Sequence, residues 1–252
     1  MAEHLLGNVY QVGGGSITHE LDGASYLILD TEKQQHALID CGSPLGYGEL
    51  TRQLEMFNIE IGRIAVVYAT HGHFDHIAAD TYMPESPLYV HANDIEAIVA
   101  SDPLKTATFL YDSENFPGIS RLEPIAEGYE IAIGKTALSV IDTPGHSPGS
   151  VSYKLKTEEG TLLIAGDALW GCYHYYMGSD LDEWDNSLYR LAQDNFDYVS
   201  FGHGASKLIP NAMNHIKNAR SIFCKDIQLA DNGLFLDPWA AVWNNNSSSV
   251  NY

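Results

Sequence analysis

The stretch Thr70-His71-Gly72-His73-Phe74-Asp75-His76 carries the strongest structural signal in this 252-residue chain. It follows an apolar run, Ile64 to Tyr68, which predicts a buried strand that ends where the histidines begin. Three imidazoles and a carboxylate therefore emerge from one turn, and these are ligand types that zinc and similar divalent ions favour. The stretch predicts a metal site at the carboxyl end of a strand.

The composition predicts a soluble globular protein with a single domain over residues 1–252 and a mobile tail over 244–252. Hydrophobic residues make up 45% of the chain and charged residues 18%. The formal net charge of -20 repels phosphate backbones, so we expect no nucleic-acid partner. No apolar run is long enough to span a bilayer, and we find no secretory signal. Three widely separated cysteines then favour a cytoplasmic protein with no membrane partner.

Hydrophobic periodicity and turn residues divide the chain into short strands with helices between them. Strands are predicted over 8–12, 25–29, 35–40, 64–68, 87–90, 137–142, 150–155, 161–165 and 198–201, and helices over 48–58, 93–100, 182–195 and 209–229. Strands come in runs early and again past the middle of the chain. That order predicts an α/β protein in which two sheets pack together with helices outside.

Three further polar residues share one feature with the histidine stretch, because each lies in a glycine-containing loop directly after a predicted strand. They are His146, Asp167 and His203. Glycine allows a sharp turn and a close approach of the backbone, so such loops can aim their side chains at a common point. We expect these three side chains to converge on the histidine stretch.

In this order the motifs resemble the metallo-β-lactamase superfamily. The resemblance runs from Leu38-Ile39-Asp40-Cys41-Gly42 through the T-H-x-H-x-D-H stretch to Gly202-His203-Gly204, and so covers nearly the whole chain. It implies an αβ/βα four-layer sandwich of two mixed β-sheets with helices on the outer faces. The ligands that it implies are His71, His73 and His146 for a first metal, Asp75, His76 and His203 for a second, and Asp167 as the bridge.

The implied site would hold two divalent metal ions, with zinc expected first and iron or manganese as the alternatives. Metal binding lowers the pKa of a coordinated water toward about 7, so a bridging hydroxide would be the nucleophile. Asp75 and Asp167 are the predicted catalytic carboxylates. A hydroxyl of Tyr173 or Tyr175 could stabilise an oxyanion or protonate a leaving group, although the aromatic run 170–176 could equally pack the loop against the core.

The sequence differs from each of the subfamilies that it resembles, and these differences limit which substrates are expected. True zinc β-lactamases would need cysteine or serine where Asp167 stands. Hydroxyacylglutathione hydrolases (glyoxalase II) carry basic residues soon after that aspartate, whereas here none precedes Arg190. Acyl-homoserine lactonases share all seven ligands but place a tyrosine where Trp170 stands. The expected activity is hydrolysis of a lactone, ester or thioester of a small, partly apolar molecule.

The alternative function is a mononuclear iron dioxygenase of the persulfide dioxygenase type, which uses the same fold and motif with two histidines and one carboxylate. A homodimer is possible by resemblance only. Asp40 has two interpretations. It could orient a metal-bound imidazole through a hydrogen bond, which we favour, or it could cap a turn.

Overall fold

The structure is a computed structural model that describes residues 1–83, 85–111, 116–169, 171–204, 208–226 and 235–236. Trp170 lies outside these ranges, as do the predicted mobile tail 244–252 and the last three residues, 227–229, of the final predicted helix. Within the described ranges, no helix combines the length and the apolar character that crossing a bilayer requires.

The first sheet has seven strands, which follow one another across the sheet in chain order. They are β1 (Glu3–Leu6), β2 (Val9–Gln11), β3 (Tyr26–Ile28), β4 (His36–Ile39), β5 (Ile64–Tyr68), β6 (Leu88–His91) and β7 (Leu122–Ile125). Pairing is antiparallel from β1 to β4 and parallel from β4 to β7. Parallel neighbours need long crossovers, and these carry helices α1 (Tyr47–Glu55), α2 (Phe74–Ile77) and α3 (Ala92–Val99).

The second sheet has six strands in the order β14-β13-β11-β10-β9-β8. These are β8 (Glu130–Ile133), β9 (Thr136–Asp142), β10 (Val151–Thr157), β11 (Gly160–Ile164), β13 (Tyr198–Ser200) and β14 (Ile209–Pro210). Among the described strands of this sheet, only β11 and β13 pair in parallel, and helix α4 (Leu181–Leu191) lies in the connection between them. Helix α5 (Ala212–Asp226) follows β14, and a small ribbon pairs β12 (Tyr173–His174) with β15 (Phe235–Leu236).

Alternating side chains on the strands create three apolar layers. Between the sheets, Tyr26 and Ile39 from the first sheet share one core cluster with Val140 and Leu155 from the second. On the outer face of the first sheet, leucines of α1 join a second cluster. On the outer face of the second sheet, Trp184 and its neighbours on α4 join a third. Two mixed sheets with helices on both outer faces confirm the predicted four-layer sandwich.

Several elements differ from the sequence-based expectation. Strands β1, β7 and β8 were not predicted, because each has only four residues and several of their side chains are exposed. The last helix begins at Ala212 and not at 209, because Ile209 and Pro210 first pair with β13. Helix α4 covers Leu181–Leu191 where 182–195 was predicted, and the Asp180 side chain caps it by accepting hydrogen bonds from the amides of residues 182 and 183.

The predicted ligand loops of both sheets meet at one edge of the sandwich. The Val151 amide donates to the Thr70 carbonyl at 2.8 Å, and this bond joins the start of β10 to the loop after β5. The Ala24 amide donates to the Gly202 carbonyl at 2.7 Å and joins the loop before β3 to the loop after β13. Loops of different sheets are therefore held side by side at this edge.

Candidate metal centre

The histidine stretch turns directly from the end of β5 into helix α2. His73 precedes the helix with extended backbone, φ -79° and ψ 148°, and Asp75 and His76 lie in its single turn. Asp75 stands in the first turn, where an acidic side chain suits the helix dipole. The four predicted ligands of the stretch therefore lie close together at the start of α2, and all four side chains are buried.

The first group of predicted ligands is formed by His71, His73 and His146. One ligand atom from each lies within 4.8 Å of the others, and Nε2 of His146 is 3.0 Å from Nδ1 of His73. Burial lowers the pKa of all three imidazoles below the ordinary value, and the neighbouring histidines lower it further for His71 and His73. The three rings are therefore neutral at pH 7 and can offer nitrogen lone pairs.

The second group is formed by Asp75, His76 and His203. Nε2 of His203 lies 3.1 Å from Oδ2 of Asp75 and 3.2 Å from Nε2 of His76. Burial alone would lower the pKa of His76, but neighbouring carboxylates, those of Asp75 and Asp167 foremost, raise it to about 9. Burial would likewise raise the pKa of Asp75, but His76 and His203 hold it below its usual range. This group is a compact cluster of opposite charges.

The Asp167 carboxylate lies between the two groups. Its Oδ2 is 3.4 Å from Nε2 of His146 and 3.4 Å from Nε2 of His203. The carboxylate packs against Gly202, where a side chain would not fit, because a Cβ there would lie 1.9 Å from Asp167 Oδ1. Burial would raise the pKa of Asp167, but the surrounding imidazoles lower it to about 2. Asp167 is therefore ionised and in reach of both groups.

Orphaned polar atoms show whether this donor set fits divalent ions. Among the described residues, Nε2 of His71 and Oδ1 of Asp167 are buried without a hydrogen-bond partner. Each unsatisfied buried group costs about 1–3 kcal/mol, so native proteins rarely keep several in one place. Imidazole nitrogens and ionised carboxylates that crowd together in a buried site suit divalent ions such as zinc. The donor set therefore fits divalent metal ions.

Partners on the outer side of the rings fix the orientation of the imidazoles. Nδ1 of His76 lies 2.8 Å from Asp40, Nδ1 of His146 lies 2.9 Å from the Cys172 carbonyl, and Nδ1 of His71 lies 3.0 Å from the Thr70 hydroxyl. Such partners determine which ring nitrogen carries the proton and turn the other nitrogen inward. The interpretation of Asp40 as an orienting residue agrees with this geometry.

The two nominated tyrosines take different places. Tyr173 lies in β12 and packs against the core cluster under α4. Tyr175 is 64% exposed, and its ring contacts that of Tyr176 with centroids 5.6 Å apart. Among the described contacts, neither hydroxyl reaches the predicted ligands. The remaining member of the aromatic run, Trp170, lies outside the described residues.

The structure brings one tyrosine to the site that the sequence did not indicate. The Tyr111 ring packs on Phe74, with centroids 4.7 Å apart, and its hydroxyl donates to the Leu21 carbonyl at 3.4 Å. Burial and the facing Asp75 carboxylate raise the pKa of Tyr111, so the hydroxyl remains a donor beside the metal centre. No local motif marks Tyr111, because a loop far from the histidine stretch carries it.

Exposed apolar side chains occur on the loops near this tyrosine. Leu21 is 46% exposed, Phe109 38% and Leu110 48%. The Phe109 ring lies 5.3 Å from that of His174, which connects this loop to the loop after Asp167. We call the exposed residues Leu21, Phe109, Leu110, Tyr175 and Tyr176 the apolar rim. It offers an apolar surface beside a charged metal centre.

Comparison with known proteins agrees with this geometry. The sequence model of the metallo-β-lactamase superfamily matches residues 20–203. Probable metallo-hydrolase YflN of Bacillus subtilis is 26% identical over 174 residues, which cover 62% of this chain and 64% of that protein. A hydroxyacylglutathione hydrolase of Rhodospirillum rubrum is 32% identical over 130 residues, or 51% of this chain and 43% of that protein. The chain therefore spans less than two thirds of either relative.

Solved structures show the same architecture. MEM-A1, a subclass B3 metallo-β-lactamase isolated from a soil metagenome library, superposes with a TM-score of 0.72. The superposition covers 92% of this chain and 97% of that one, at 17% sequence identity. At this level of identity the likeness shows the fold alone.

Proposed function

The chain belongs to the metallo-β-lactamase superfamily of metallo-hydrolases, and from this premise we propose that it is a hydrolase with two divalent metal ions, zinc first among the candidates. The proposed reaction opens a lactone, ester or thioester of a small, partly apolar molecule. One observation carries the proposal. The Asp167 carboxylate lies 3.4 Å from an imidazole nitrogen of each ligand group, so it would be in reach of an ion held by either.

In this proposal some residues bind the metal ions and others contact the substrate. His71, His73 and His146 would hold the first ion, and Asp75, His76 and His203 the second, with Asp167 between them. Two divalent ions bound here would supply an activated water and a Lewis acid for the substrate carbonyl. The Asp75 carboxylate is ionised and faces the Tyr111 hydroxyl, so at the reacting atoms the carboxylate can accept a hydrogen bond and the hydroxyl can donate one.

The apolar rim supports a substrate with an apolar part. Its exposed rings and leucines would bury the acyl or lactone body of the substrate, which gains roughly 25 cal/mol per Å² of apolar surface covered. Tyr175 belongs to this surface and is proposed to contact the substrate body. Tyr173 is proposed only to support the loop, because it packs on the core.

A glutathione thioester is the less favoured substrate, although a relative is named a hydroxyacylglutathione hydrolase. Glutathione carries two carboxylates, and residues 168–189 contain no lysine or arginine to receive them. A net charge of -20 also makes the long-range field unfavourable for an anionic ligand. Neutral or weakly charged esters and thioesters are therefore the first substrates to test.

The test combines metal content with loss of the bridging carboxylate. Elemental analysis of protein purified without added metal should give close to two divalent ions per chain. Asp167→Ala should lose metal and reduce hydrolysis of a lactone, ester and thioester panel to background while circular dichroism stays native. Asp194→Ala, which removes an exposed partner of Lys154, is the matched control and should keep full activity.

Two results would contradict the proposal. One is retained turnover in Asp167→Ala. The other is a single iron per chain together with oxygen uptake on a persulfide, which would support the mononuclear iron dioxygenase instead.

A further inference from the structure

A buried carboxylate outside the predicted ligand set connects the two loops that carry the first ligand group. Asp94 lies in the first turn of α3 and is 5% exposed. Its Oδ2 accepts the Gly72 amide at 2.8 Å and the Ser147 hydroxyl at 3.0 Å. Its Oδ1 accepts the Gly149 amide at 2.8 Å. Both carboxylate oxygens are therefore engaged by loop atoms.

These contacts join loops of different sheets. Gly72 stands between His71 and His73 in the loop after β5 of the first sheet, whereas Ser147 follows His146 in the loop between β9 and β10 of the second. The two loops are far apart in sequence, so non-covalent contacts must hold them at a constant distance. Asp94 therefore links the loop of His71 and His73 to the loop of His146, through the Gly72 amide and through the Ser147 hydroxyl and Gly149 amide.

The two loop glycines match this arrangement. A Cβ on Gly149 would lie 2.4 Å from Asp94 Cγ, and one on Gly72 would lie 3.0 Å from Asp94 Cβ. A Cβ at Gly149 would have to displace the carboxylate, and one at Gly72 would require Asp94 to move slightly. The glycines in His71-Gly72-His73 and Ser147-Pro148-Gly149 thus leave the space that the carboxylate fills.

We propose that Asp94 is a positioning residue that sets the affinity of His71, His73 and His146 for their metal ion. The inference rests on the proposed function, since it presupposes an ion at this group. Among the described residues, the hydrogen bonds of the Asp94 carboxylate go to the loops that carry His71, His73 and His146. Loss of the Asp94 carboxylate should therefore weaken the binding of one metal ion and leave the binding of the other unchanged.

Asp94→Asn tests this inference with little change of shape. Each carboxylate oxygen accepts a backbone amide, so the Asn side chain must turn its NH₂ group toward one of those donors. Metal-free protein is titrated with Zn²⁺ alone in competition with a chromophoric chelator. We expect one of two equivalents to bind about 10–100-fold more weakly, the usual effect of losing a residue that orients metal ligands.

His146→Ala identifies the affected equivalent, because it removes a ligand of the first group directly. In a Co²⁺ titration, the d–d absorption bands that develop only at higher Co²⁺ in Asp94→Asn should be the bands that His146→Ala alters. Asp30→Ala is the matched control, since Asp30 is a buried carboxylate that accepts two backbone amides in the turn before β4. It should leave both equivalents unchanged, even if it lowers stability.

Equal weakening of both equivalents, or no weakening of either, would overturn the inference. If Asp94→Asn does not fold, Ser147→Ala removes one of the three hydrogen bonds and should weaken the same equivalent severalfold; an unchanged affinity there would count equally against it. Because the titration needs no substrate, a wild type that binds two ions but hydrolyses nothing would refute the proposed reaction and leave this inference standing.

Discussion

Oδ2 of Asp40 lies 2.8 Å from Nδ1 of His76, and the same carboxylate accepts the Thr70 amide at 2.7 Å through its other oxygen. Asp40 directly follows β4 and has left-handed backbone, with φ 54°. This geometry assigns the His76 proton to Nδ1 and leaves Nε2 to face Asp75, Asp167 and His203. A carboxylate at the end of one strand thus orients a predicted ligand that follows the neighbouring strand.

Asp40→Asn should lower the affinity of Asp75, His76 and His203 for a metal ion. Asparagine tolerates left-handed backbone, so the substitution preserves the turn while it replaces the acceptor that faces His76. We expect metal affinity at this group to fall about 10–100-fold, as measured by competitive Zn²⁺ titration. Asp142→Asn, at the end of β9, is the control. An unchanged affinity in Asp40→Asn would mean that the contact with Asp40 does not orient His76.

Removal of metal should lower the thermal stability of the protein. The ligand atoms are buried, so bound ions stabilise the folded state and not the unfolded chain. At free metal about 100 times Kd, one site adds about 2.7 kcal/mol to the free energy of unfolding. For a chain of this size that raises Tm by roughly 5–10 °C, which calorimetry with and without a chelator can measure. Equal Tm values in both conditions would argue against ions at these residues.

The sequence predicts some of these features well because they are local. The run Ile64–Tyr68 is apolar and β-rich, and the observed β5 has the predicted limits. Loops rich in glycine after strands led to His146, Asp167 and His203, whose side chains do converge with the histidine stretch. Asp94 and Tyr111 were missed, because their contacts arise only when distant loops pack together and no short-range pattern encodes that packing.

Tyr111→Phe should lower catalytic efficiency and leave folding unchanged. The substitution keeps the ring contact with Phe74 and removes only the hydroxyl that faces Asp75. A hydrogen bond to a charged group contributes about 1.5–3 kcal/mol, which corresponds to roughly 10–100-fold in kcat/KM. Tyr47→Phe is the matched control, because the Tyr47 hydroxyl also donates to a backbone carbonyl at 3.4 Å. Equal kcat/KM in both variants would remove Tyr111 from the reaction.

A buried acid away from the predicted ligands should give the protein a distinct pH dependence. Asp80 is 1% exposed, and neither of its carboxylate oxygens has a hydrogen-bond partner among the described residues. Burial raises its pKa from 3.8 to about 7, although the Arg121 guanidinium 3.8 Å away opposes the change. Asp80 is therefore neutral in the folded protein at pH 5 and ionised above neutral pH.

The sign of the effect follows from proton binding. Between about pH 4 and pH 7 the folded chain keeps a proton on Asp80 that the unfolded chain has released, so the free energy of unfolding falls as pH rises. At about 1.4 kcal/mol per pH unit, the full loss is on the order of 4 kcal/mol and is complete above about pH 7. Asp80→Asn cannot titrate. Relative to wild type, its free energy of unfolding should therefore increase by that amount from pH 4 to pH 8.

Urea unfolding of both proteins at several pH values measures this difference. Groups that titrate equally in both proteins contribute equally to the two free energies of unfolding and drop out of the difference. Asp194→Asn is the control, because the Asp194 side chain is 37% exposed. Its difference from wild type should stay nearly constant with pH. A constant difference for Asp80→Asn as well would show that the Asp80 carboxyl titrates in the folded protein as it does in the unfolded chain.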